Sequence, residues 1–230
     1  MLFVSISETD STQSDVWMYD IQKKSKKQIT NTKESEYSPT FSDDGKLVYV
    51  VRVDADSGQR LYSMPWPQMN SADLIAKTDS VGYFCLIGTS KIAMFLVGSP
   101  NRLVILDRTN GEQKFICNEP GRCIKMSPKK KDLIYFIEKR DSVNWYLNTY
   151  NVKTNKTLVK VKMIKGSEDF AFLKDGTLVS GFMNNLFRLN PAEQGWVGDS
   201  RFDEMNVPPF KRIAADKQGN HIAVVFTSED

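Results

Sequence analysis

One motif recurs five times along the chain and limits what it can fold into: a short strand-like segment, a tight polar turn and a second, apolar segment. It reads PTFSDDGKLVYVV (39–51), CLIGTSKIAMFLV (85–97), KMSPKKKDLIYFI (125–137), AFLKDGTLVSGF (171–182) and IAADKQGNHIAVVF (213–226). The turns fall at Gly45, Gly88, Lys131, Gly176 and Gly219, spaced 43, 43, 45 and 43 residues apart. Behind each pair comes a third segment rich in aromatic or branched residues, such as DVWMYDI (15–21), RLYSMPW (60–66) and WYLNTYNV (145–152), and then a fourth, such as KKQIT (26–30) or TLVKV (157–161). Asp-Gly and Asn-Gly turns between alternating apolar segments mark antiparallel hairpins. Four-stranded units at a period near 43 residues predict an all-β chain, a β-propeller whose blades run from an innermost strand A to an outermost strand D.

On this reading the chain is one propeller, 1–230. Full blades occupy 36–77, 80–117, 121–161 and 167–204; residues 1–32 supply strands B, C and D, and residues 209–230 supply A and B. That makes 21 strands, which four does not divide. A six-blade type lacking about one blade's worth of strands fits the count. It places a further segment of roughly 45 residues, one repeat period, ahead of Met1. A five-blade ring is the rival: the C-terminal A and B strands would pair with 15–21 and displace Leu2–Ser7.

Composition narrows the function classes. In 230 residues, 31 Lys and Arg stand against 28 Asp and Glu, a near-balance that offers no electrostatic footprint for nucleic acid. The longest apolar runs are of strand length, too short to insert in a membrane as a helix. Met1 leads straight into Leu2-Phe3-Val4 with no basic n-region or long h-region, so the chain as written carries no export signal. Cys85, Cys117 and Cys123 are an odd set without C-x-x-C spacing, which suggests neither a disulfide framework nor a zinc site, and Cys85 and Cys117 read as buried free thiols. His221 is the sole histidine and reads as a strand-edge residue, and no G-x-S-x-G elbow is present. No metal site or other cofactor is expected.

With the repeats aligned, SDVWMYDIQKKSKKQITNTKESEYSPTFSDDGKLVYVVR (14–52) resembles the propeller repeat of the TolB-like family of bacterial proteins. The family pattern is a W/Y-x-Y-D strand, an L/I-T strand and then S/Y-x-P-x-F/W-S-P-D-G. Trp17, Tyr19, Asp20, Ile29, Thr30, Tyr37, Pro39, Phe41, Ser42, Asp44 and Gly45 match it, and Asp43 replaces the usual proline. The period covers the whole chain but the motif only about its first quarter. Members are usually exported and close six blades, so the resemblance implies a periplasmic or exported protein.

In a propeller the D–A and B–C connections open at the mouth of the central channel. Here they carry Glu36, Tyr37, Tyr83, Arg122, Glu168, Asp169, Lys211 and Arg212, with Arg52 and Arg60 on the first complete B–C hairpin. Tyrosine offers a flat apolar face with a polar tip, and arginine a planar fork for carboxylate or phosphate. Such a mouth suits a peptide, a glycan or a protein partner, and Glu36, Tyr37, Arg52, Arg60, Tyr83, Arg122, Glu168 and Asp169 are the candidate ligand-binding residues. The same charges could instead brace neighbouring blades, with Arg122 facing Glu168 or Asp169. Asp54-Ala55-Asp56-Ser57-Gly58 alternates aspartates like a calcium loop, but lacks the closing glutamate and reads as a hairpin tip. The leading reading is a non-catalytic binding module of a bacterial envelope. A propeller hydrolase or lyase, and a regulatory propeller separated from a hydrolase domain, stand as alternatives, the first disfavoured by the want of a poised base.

Overall fold

A computed structural model describes residues 1–6, 10, 12–201 and 208–226. The described residues contain no helix; they form 21 strands, every pairing antiparallel. This is the all-β, β-propeller architecture predicted from the repeat. By packing the chain divides into two units, Met1–Ile116 and Cys117–Asp230.

The first unit opens with a three-stranded sheet: β1 (Leu2–Ile6), β2 (Ser14–Asp20) and β3 (Ser25–Gln28). A four-stranded blade follows: β4 (Glu36–Phe41), β5 (Leu47–Val53), β6 (Gln59–Pro65) and β7 (Asp73–Leu74). The next is β8 (Val81–Ile87), β9 (Lys91–Leu96), β10 (Arg102–Asp107) and β11 (Gln113–Asn118), whose last strand runs across the unit boundary. In the second unit are the blades β12 (Pro120–Met126), β13 (Leu133–Lys139), β14 (Trp145–Asn151), β15 (Lys156–Lys162) and β16 (Phe170–Phe172), β17 (Leu178–Phe182), β18 (Asn185–Asn190), β19 (Gly195–Arg201). The hairpin β20 (Phe210–Ala215) and β21 (Ile222–Phe226) comes last.

Four complete blades and the three-stranded sheet make five, one fewer than the six-blade type counted from the sequence, because β20 and β21 gain no third strand among the described residues. Nor is the strand exchange of the five-blade rival present: β2 has β1 on one edge and β3 on the other. The fourth strand expected over 73–76 shortens to Asp73–Leu74, and Ser7 and Thr227, counted in the terminal strands, lie outside the described residues.

Strict alternation explains how one strand serves two cores. On β5, Val48 and Val50 join Val16, Tyr62 and Met64 against the three-stranded sheet, while Tyr49 and Val51 turn the other way to meet Phe84, Ile92 and Met94. In the second unit Ile137, Leu147 and Val161 pack against Phe170 and Leu178, and Val179 and Leu186 against Phe210 and Ile213. Each blade is thus apolar on both faces. Trp17 is buried, as its place in the repeat requires. Trp66, half-buried, packs edge-on against Phe41, with ring centroids 5.2 Å apart.

Candidate functional site

A recurrent irregularity sits at the start of the first strand of four sheets. Register shifts fall between Tyr37 and Thr40 on β4 and between Val81 and Tyr83 on β8 in the first unit. In the second they fall between Pro120 and Ile124 on β12 and between Phe210 and Arg212 on β20. A bulge bends its strand and re-aims the side chains beside it. These are the strand ends where the sequence places Glu36, Tyr37, Tyr83, Arg122 and Arg212. At β4, just ahead of the shift, alternation divides two neighbours sharply: Glu36 is fully buried, whereas Tyr37 is 39% exposed. Ser38, next in line, has φ +56°.

The first unit carries a cluster on the β5–β6 hairpin. Arg52 and Arg60 are directly opposite in the ladder, an arrangement of like charges that demands a counter-ion. Asp54 supplies it: Arg52 Nε donates to Asp54 Oδ1 at 3.0 Å and Arg60 Nη1 to Oδ2 at 2.8 Å. Tyr62 Oη adds a third donor at 2.8 Å from Asp54 Oδ2, and the Arg52 guanidinium lies over the Tyr62 ring, 3.8 Å from its centroid. Arg60 also grips Asp56 with both terminal nitrogens, at 2.9 and 2.8 Å. Gly58 makes that reach possible, since a Cβ there would sit 2.4 Å from Arg60 Nη1. Partial burial works against the Asp54 carboxylate, but the bonds from Arg60, Tyr62 and Arg52 outweigh it and hold its pKa below the ordinary value. The Arg60 fork, with the Gly58 N–H, pulls Asp56 down to about 2.

Glu36 is not on that surface. Its carboxyl accepts hydrogen bonds from Thr30 Oγ1, at 3.0 Å, and from Thr32 Oγ1. Asp15, also fully buried, lies on the other side of Thr30 and accepts from Gln28 Nε2 at 2.6 Å. Burial pushes Glu36 up to about 7; the threonine bonds oppose this, while the nearby charge of Asp15 adds to it. Tyr83 packs edge-on to Phe95, with centroids 5.7 Å apart.

In the second unit Arg122, from the bulged β12, meets the segment that leads into β16. Its Nε and Nη2 donate to the two oxygens of Asp169 at 2.9 and 3.2 Å, and Nη1 to Glu168 Oε2 at 3.2 Å. The Arg122 backbone N–H also donates to Glu168 Oε1, at 3.3 Å. Lys139 pairs with Glu168 as well, and its ammonium lies 4.7 Å above the Trp145 ring. The side chains of this cluster keep 11–28% of their exposure. The chemistry is that of a preorganised salt-bridge network with edges open to solvent.

The structure therefore brings together Arg52 with Arg60, and Arg122 with Glu168 and Asp169. It sends Glu36 into the interior and leaves Tyr37 at the surface. Lys211 has a side chain outside the described set. Reading by position missed Asp54, Tyr62 and Lys139 as members of these clusters. For Asp54 there was a signal, since two arginines opposed across a hairpin call for an acid at its tip. All three cysteines are buried, and burial lifts Cys117 to about 12 and Cys123 to about 11. His221 pairs Nδ1 with Asp216 Oδ2 at 2.8 Å at the β20–β21 turn. Among the described residues no group of three or more His, Cys, Asp or Glu is placed to hold a metal ion, and no helix is long and apolar enough to cross a membrane.

Solved structures share this architecture. TolB from Acinetobacter baumannii superposes with a TM-score of 0.62 at 14% identity, over 86% of this chain and 51% of that one. The chain shares its β-propeller fold with TolB. An oligogalacturonate lyase in complex with manganese gives 0.61 at 12% identity, over 91% of this chain and 64% of the lyase. A protein of unknown function from Bacteroides thetaiotaomicron gives 0.64 at 10% identity, over 93% and 62%. The chain thus spans about half to under two-thirds of the length of these proteins. No family model matches its sequence, and no curated protein does.

Proposed function

We propose that this chain is a non-catalytic binding propeller of a bacterial envelope, recognising a peptide, glycan or protein partner through the D–A and B–C connections of its blades. The observation that carries the reading is the repeated bulge: four first strands are distorted at the end that bears the aromatic and arginine side chains. Bulges are over-represented at the rims of barrels and next to active sites, where they re-aim a side chain, and aromatic and arginine side chains are enriched among interface hot spots. The guanidinium groups of Arg52, Arg60 and Arg122 are each fixed by carboxylates yet remain about a fifth exposed. A partner carrying its own acidic or hydroxyl groups meets donors already oriented, which lowers the entropy cost of binding. The TolB-like fold and the repeat motif of residues 14–52 support an envelope location.

The test is an array of peptides and glycans probed with the chain and with its Tyr37→Ala and Arg60→Ala variants. Tyr37 is exposed, so its loss leaves the core intact. A defined set of ligands bound by the parent and lost in both variants supports the reading. Binding by the Tyr37→Ala and Arg60→Ala chains equal to that of the parent overturns it.

A further inference from the structure

The opposite end of the blades, where the A–B and C–D hairpins lie, carries a feature that the proposed binding surface does not use. A cleft of about 680 Å³ opens between the third and fourth complete blades, both within the second unit. Its cationic lining comes from Lys129 on the β12–β13 hairpin, Lys160 on β15 and Arg188 on β18. Its apolar wall is Leu178, Leu189 and Val197, with the ring of Tyr135, which stands edge-on to Phe172 at 5.1 Å.

The charges do not cancel. Arg188 is satisfied by Asp199, its Nε donating to Oδ1 at 2.9 Å. Asp175 spends its carboxylate on Thr177, accepting from the backbone N–H and from Oγ1, each at 2.8 Å. The ammonium groups of Lys129 and Lys160 have no hydrogen-bond or ion-pair partner among the described residues. Three cations thus line the cleft beside the Asp175 carboxylate, which attracts Lys129 without a direct ion pair, so the lining keeps a net positive charge. Lys129 does not hang loose in solvent. Gly176, in the left-handed region at φ +85°, has no side chain, and Lys129 Cε lies 2.5 Å from where a Cβ would stand. The lysine stem is thereby laid across the turn at the rim of the cleft. No atom lies within 4 Å of the corresponding position on Gly198, so the floor there is open. The Tyr135 hydroxyl likewise has no hydrogen-bond partner among the described residues.

We infer that this inter-blade cleft is a binding site for a small organic anion, a carboxylate or phosphate group carried on an apolar body. The anionic group sits between the Lys129 and Lys160 ammonium groups, which as compact point charges accept either chemistry. The apolar body lies against Leu178, Leu189 and Val197. Its volume falls in the range of small-molecule sites, roughly 300–1,000 Å³. Carboxylate and phosphate share this recognition, and the cleft does not depend on the surface formed by the D–A and B–C connections.

The test is a titration of the ¹⁵N-labelled chain with phenyl phosphate, followed by amide chemical shifts, with inorganic phosphate, benzoate and phenol in parallel. Saturable shifts at the Gly176 and Gly198 amides are expected with phenyl phosphate and with benzoate, and the relative affinities say which anion is preferred. Inorganic phosphate and phenol, each with half of the recognition, are expected to bind at least tenfold more weakly. A Lys129→Ala, Lys160→Ala double variant, altered only at exposed side chains, is expected to lose at least tenfold in affinity with an unchanged melting temperature. Unaltered affinity in that variant overturns the inference. So do shifts spread evenly over other lysine-bearing turns such as 22–27, or inorganic phosphate binding as tightly as phenyl phosphate.

Discussion

Glu36 stands directly opposite Arg52 in the β4–β5 ladder, yet its carboxyl bonds to Thr30 and Thr32 while the guanidinium turns away to Asp54. The acid is left fully buried beside Asp15, and its pKa rises to about 7 from an ordinary 4.5, burial outweighing the threonine bonds and the nearby charge of Arg52. The folded state therefore holds a proton that the unfolded chain releases. Stability from this group is complete below about pH 4.5 and is lost as pH rises to 7. Thermal melts at pH 5 and pH 8 are expected to show the parent less stable at the higher pH, by at most about 2–3 kcal/mol for a shift of this size. Glu36→Gln, which cannot ionise, is expected to flatten that difference.

Gly58 offers a separate handle on the Arg60 fork. Replacing it with alanine puts a methyl group where the guanidinium lies, and the guanidinium is the far end of a flexible side chain that can move aside. Gly58→Ala is therefore expected to release Asp56 with little change in melting temperature. Carboxyl-carbon NMR titration reads the effect directly: the Asp56 pKa is expected to rise from about 2 toward the ordinary range.

Arg122 holds two carboxylates that came from a different blade. With Arg122→Ala, Lys139 still serves Glu168, but Asp169, only 8% exposed, loses both of its guanidinium bonds. Unpairing a largely buried charge costs about 3 kcal/mol. Urea unfolding is expected to show a loss approaching that size, partly restored when Asp169→Asn is added. A loss within about 0.5 kcal/mol, the scatter of ordinary surface substitutions, would contradict the pairing.

The blades were legible because their information is local: a turn dipeptide and two alternating segments specify a hairpin, and the 43-residue period repeats it. Strand ends were less so. Residues 73–76 look apolar enough for a full outer strand, but the strand itself shortens to Asp73–Leu74; Ile75 keeps one backbone bond to Leu61 and, with Ala76, packs against the core. The bulges were invisible because they arise from the register between two strands, and nothing in Glu36-Tyr37-Ser38-Pro39 announces a left-handed Ser38. Glu36 and Tyr37 were read as neighbours on one surface. Alternation separates them, sending one into the interior and the other out. Of the site, the arginines were found by residue type and position. Tyr62 was not, because a core position of the repeat gives no sign that its hydroxyl reaches Asp54.

The proposed binding surface is tested most directly by hydrogen exchange, measured by mass spectrometry with and without a ligand taken from the peptide and glycan arrays. Protection is expected in peptides covering 34–39 and 52–60, which carry Tyr37, Arg52 and Arg60, and to vanish in the Tyr37→Ala chain. Protection confined to the A–B and C–D turns, such as 42–46 and 108–112, with 34–39 and 52–60 unchanged, would contradict the account.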